Sequence, residues 1–72
     1  SMKIKNVTER SASALYSLSV ASKEVNRVMC SISGSAAGEK YSNSLYYANQ
    51  QIENAAKELI HILAQDNDVD LA

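Results

Sequence analysis

Proline and tryptophan are absent from the 72 residues, phenylalanine is absent as well, and only two glycines and one cysteine occur. Each gap excludes something. With Cys30 alone, no internal disulfide can form, and without a second thiol or a histidine cluster there is no zinc framework. No stretch approaches the roughly 18 apolar residues of a membrane span, and the start, Ser1-Met2-Lys3, has no apolar run long enough for a signal peptide. Ser1 before Met2 reads as a cloning remnant. The reading is therefore a chain in the cytoplasm, or one exported without a cleavable leader.

What is present is Ala, Ser, Asn and Gln in quantity, which suits long helices packed through small residues better than a twisted sheet. Charge is unevenly placed. Residues 1–33 hold five Lys/Arg against two Glu, whereas residues 34–72 hold two Lys against six Asp/Glu. Lys3, Lys5, Arg10, Lys23 and Arg27 are spread too widely, and mixed with Glu9 and Glu24, to form the concentrated stripe that phosphate binding needs. No nucleic-acid partner is expected. Two solvated faces attracting weakly across a hairpin account for the asymmetry.

Apolar periodicity carries the fold. Leu15, Leu18, Ser22, Val25, Met29 and Ile32 follow a 3-4-3-4-3 spacing, with Val7, Ala14, Ala21 and Val28 repeating at sevens beside them. Asn6 followed three residues later by Glu9 resembles a capping box and starts the helix near Val7. Gly34 is a left-handed stop. The short stretch Ser33 to Lys40, rich in small residues, is the connection, its second half already open to helix. Tyr41, Leu45, Ala48, Ile52, Ala55, Leu59 and Ile62 then continue at 4-3-4-3-4-3, widened by Ala56, Ile60 and Leu63. Glu53 precedes Lys57 by four residues, the spacing of a favourable exposed pair.

These patterns predict an all-α fold: one antiparallel two-helix hairpin, about 7–33 and 37–66, in a single domain 1–72 with short disordered termini. A chain this small buries too little to offset the entropy of ordering its backbone. The hairpin is therefore expected to complete a four-helix bundle with a protein partner or a second copy of itself. Tyr16 and Val20 off the first stripe, and Tyr46 and Tyr47 beside the second, form a further line suited to an interface, because tyrosine buries a ring while its hydroxyl stays wet. The expected interface set is Leu15, Leu18, Val25, Met29, Leu45, Tyr46, Tyr47, Ile52 and Leu59.

Chemistry is sparse. The serines, His61 and Asp66 nominally supply a nucleophile, base and orienter, but a thin hairpin offers neither cleft nor oxyanion hole, so no enzyme is expected. Glu58, His61 and Gln65 share a helix edge with only one strong nitrogen ligand, and no metal or other cofactor is expected. Asp66, Asp68 and Asp70 alternate like a calcium loop without its glycine and closing glutamate. Cys30, next to Met29, reads as a small buried hydrophobe. Asn6-Val7-Thr8 matches a glycosylation sequon, to which no weight attaches without a secretory signal.

The layout of helix, short turn with an apolar-x-Gly tripeptide, and helix resembles the WXG superfamily of small hairpins exported by type VII secretion in Gram-positive bacteria. More narrowly, it is similar to the small helical proteins that accompany LXG toxins. Ile32-Ser33-Gly34 stands where that superfamily places Trp-x-Gly, and Tyr41-Ser42-Asn43-Ser44-Leu45 follows a Ser/Ala-rich stretch as it does there. The family's export signal, an aromatic followed four residues later by Asp, has its nearest match in Ile62-Leu63-Ala64-Gln65-Asp66, with Ile62 in the aromatic place and Asp66 as the acid. The resemblance implies a targeting partner that packs beside the helical N-terminal domain of a toxin. A self-associating cytoplasmic regulator or antitoxin-like module, forming a homodimeric four-helix bundle, is the alternative.

Overall fold

The computed structural model describes residues 6–65, in which two helices, α1 (Val7–Ile32) and α2 (Ala36–Ala64), run antiparallel and are joined by a three-residue turn. The all-α hairpin is as expected, within two residues of the predicted limits. The termini expected to be disordered, with Asp66, Asp68 and Asp70, lie outside the described residues.

Capping explains where each helix begins. Asn6 sits in extended backbone and its Oδ1 accepts from the Glu9 N–H at 2.8 Å, satisfying a donor that the first turn leaves unpaired. At α2 the same role falls to Ser35, whose Oγ accepts from the Gly38 N–H at 3.1 Å while its hydroxyl donates to the Ile32 carbonyl at 2.5 Å. One serine thus closes one helix and opens the next.

Between them lies a type II turn. Ser33 adopts φ −57° and ψ 132°, Gly34 has φ 77°, and the Ser35 N–H donates to the Ile32 carbonyl at 3.1 Å. A side chain at Gly34 would meet nothing within 4 Å, so it is the backbone angle that demands glycine there. Gly38 is the opposite case. A Cβ there would collide with the carbonyl oxygen of Ile32, so its missing side chain lets the start of α2 lie directly on the end of α1.

Packing is shallow. Ser11 and Gly38 are the only described residues that are buried, and no apolar side chain among the described residues is. The two helices lie side by side and so form a single helical layer.

Three expectations need correction. Cys30 is exposed and not a buried hydrophobe, because one step beyond Met29 turns it about 100° out of the seam. Tyr41, Ala55 and Ile60 are exposed, although they belong to the apolar line read for α2. The residues that α2 turns toward α1 include Gly38, Ser42, Asn49, Ala56 and Leu63 alongside Leu45, Ile52 and Leu59. Finally, Glu53 and Lys57 do not close into an ion pair. The one found among the described residues is Arg27 Nη1 to Glu24 Oε1 at 3.0 Å, between two exposed side chains.

Candidate interaction surface

The expected interface residues fall into two groups. Leu15, Leu18, Val25 and Met29 of α1 and Leu45, Ile52 and Leu59 of α2 line the seam between the hairpin's own helices, each half-buried and still partly open to solvent. Tyr46 and Tyr47 are elsewhere. They are 60% and 66% exposed, on the outward half of α2, as Tyr16 at 72% and Val20 at 41% are on the outward half of α1. Ile62 is half-buried near the end of α2, and its proposed companion Asp66 is outside the described residues.

One polar contact ties the seam together, and it is a residue the sequence reading left out. The Ser22 hydroxyl meets Asn49 Oδ1 at 2.8 Å, a part-buried hydrogen bond between the two helices. A slip of α2 along α1 would strand both groups, so this pair fixes the register of the hairpin. Its signal was available: Asn49 stands four residues after Leu45 and three before Ile52.

The hairpin has two unlike sides. On one, Leu15, Leu18, Ser22, Ile52 and Ala56 floor a groove of about 330 Å³ whose edges carry Ser19, Lys23, Asn26 and Glu53. On the other lie two lines at heptad spacing, each residue one step, or about 100°, before a seam or groove residue. Ala14, Ala21 and Val28 precede Leu15, Ser22 and Met29, and Ala48 and Ala55 precede Asn49 and Ala56. This flank is apolar. Val28 and Tyr41 on it are 44% and 49% exposed, Ala14 and Ala55 are exposed, and the Lys40 ammonium covers the Tyr41 ring from 5.4 Å.

At the turn, Met29, Ser33, Gly34, Ser35, Gly38, Glu39 and Ser42 surround an open depression of about 540 Å³. The Ser35 and Ser42 hydroxyls there donate to the Ile32 and Gly38 carbonyls. Ser17 and Ser31 likewise bond carbonyls one turn back. His61, the base of the nominal triad, is exposed and meets Gln65 at 3.2 Å between their Nε2 atoms.

Ile32-Ser33-Gly34 occupies the tight turn itself. Comparison of the chain with family models, with curated proteins and with solved structures gives no match. The surface must therefore be read from its own residues. Those residues offer shape and apolar area, and none of the described helices is long and apolar enough to cross a membrane.

Proposed function

We propose that this chain is a non-enzymatic helical partner protein that packs on the helical N-terminal domain of a type VII secreted toxin of the LXG kind and assists its targeting or export. The observation that carries the reading is a hairpin of two long helices with no buried apolar side chain among its described residues. Such a layer is completed by other helices. The outward tyrosines, Tyr16, Tyr46 and Tyr47, supply rings that gain from burial while their hydroxyls remain wet.

The secretion part rests on the resemblance of the Ile32-Ser33-Gly34 turn and the matched helices to the WXG and LXG-associated hairpins. In this reading the half-open seam residues Leu15, Leu18, Val25, Met29, Leu45, Ile52 and Leu59 take their remaining cover from the toxin helices. Ile62 and Asp66 stand as its export signal.

The test is co-expression with the helical N-terminal domain of the toxin encoded beside this chain. Capture by the parent, and its loss in Tyr46→Asp/Tyr47→Asp with the helical circular dichroism unchanged, is the expected result. Leu18→Asp and Ile52→Asp probe the seam under the same control. Capture undiminished in all three variants would sink the reading.

A further inference from the structure

The two helices face each other through a line that is partly polar, and a more apolar line is left over. On α2, Gly38, Ser42, Asn49 and Ala56 accompany Leu45, Ile52 and Leu59 toward α1, while Tyr41 and Ala55 are exposed on the flank and Ala48 and Ile62 are half-buried at its inner edge. The Ser22–Asn49 hydrogen bond and the approach of Gly38 to Ile32 set the level of each residue against its neighbour. In that register the flank is built in four layers: Val7 at the level of Ile62, Ala14 of Ala55, Ala21 of Ala48, and Val28 of Tyr41. Large layers stand at both ends and alanine layers in the middle.

The outer rim of the same flank also pairs by level. Arg10 stands level with Glu58, Ser17 with Gln51, and Glu24 with Ser44, all of them exposed and all one heptad step apart along their own helices. Such a rim is complementary to itself once α1 is laid over α2. A two-fold axis parallel to the helices does this: each layer meets its own copy, Arg10 faces the oppositely charged Glu58 twice, and every helix has antiparallel neighbours. Alanine on alanine in the middle lets the two helical sheets approach closely.

We propose that a second copy of this chain covers the flank of Ala14, Ala21, Val28, Tyr41, Ala48 and Ala55, about a two-fold axis parallel to the helices, with both turns at the same end of a four-helix bundle. This goes beyond the secretion reading and does not rest on it. Tyr16, Tyr46 and Tyr47 lie away from the flank and stay open to another protein.

Sedimentation equilibrium tests it. The parent is expected at twice its 7.8 kDa mass, and Ala14→Lys/Ala55→Lys, altered only at exposed positions, at the monomer mass with its helical circular dichroism intact. Arg10→Glu should weaken the dimer on the order of tenfold through its two equivalent pairs, and adding Glu58→Arg should restore it. A monomeric parent overturns the proposal, as does a dimer that survives the paired lysines. Rescue of Arg10→Glu by Glu24→Arg in place of Glu58→Arg overturns the axis, since that pairing needs α1 laid over α1. Toxin capture is read through Tyr46 and Tyr47, so either proposal can fail alone.

Discussion

The two sides of the hairpin are made by the same pair of helices but differ in how they meet solvent. The groove side, with Ser19, Asn26, Lys23 and Glu53 at its edges, is polar at its rim, and the Ser22–Asn49 bond runs through the seam it opens onto. The opposite flank carries Ala14, Ala21, Val28 and Tyr41 with little polar cover. The difference teaches a division of labour. Polar and backbone contacts set how the helices are rotated and aligned, and that rotation leaves apolar residues outside, available to a partner.

Substituting Gly38 would break this arrangement most strongly. Gly38→Ala gains roughly 0.5–1 kcal/mol of helix propensity, but its methyl group collides with backbone at Ile32 that the type II turn holds in place, an overpacking that costs typically 1–3 kcal/mol or more. A net loss of about 2 kcal/mol, near 10 °C in Tm, is expected by thermal denaturation. Gly34→Ala meets no atom but must adopt φ 77°, so a smaller loss, roughly 1–2 kcal/mol, is expected there.

The seam bond is next in size. Ser22→Ala should cost about 1 kcal/mol in urea denaturation, because Asn49 is left part-buried without its partner. Ser22→Ala combined with Asn49→Leu removes both polar groups and should cost less than the single change. That double variant also makes the groove side apolar, so it should blur the contrast between the sides and associate beyond a dimer in sedimentation. Asn6→Ala serves as a comparison that touches neither side: loss of the cap should cost about 1 kcal/mol and leave association unchanged. Least of all is expected from Glu24→Gln, under about 0.5 kcal/mol, since its pair with Arg27 is exposed at both ends.

These same residues mark how much was legible in the sequence. Asn6 and Gly34 announced the start and stop of α1 because capping and a positive φ are local demands met by particular side chains. Leu15, Leu18, Val25 and Met29 announced the seam on α1 by spacing alone. On α2 the apolar line misled. Tyr41, Ala55 and Ile60 read as seam by hydropathy but are exposed, whereas close backbone approach at Gly38 and the hydrogen bond at Asn49 rotate the helix toward a line that includes small and polar residues. Cys30 was misplaced for a related reason, since apolar character was taken from its neighbour Met29 without the turn between them. The exposure of Tyr16, Tyr46 and Tyr47 was legible as rings lying off the apolar lines, and the sidedness of the hairpin was not, because sidedness depends on that rotation.

The central claim is that the hairpin is incomplete and that its alanine flank is the side another copy covers. Tm measured across a wide range of chain concentration tests this most directly, because a folded state held together by association grows more stable as the chain is concentrated. The account predicts a Tm that climbs with concentration for the parent and stays level for Ala14→Lys/Ala55→Lys. A parent Tm that is the same at every concentration would contradict it.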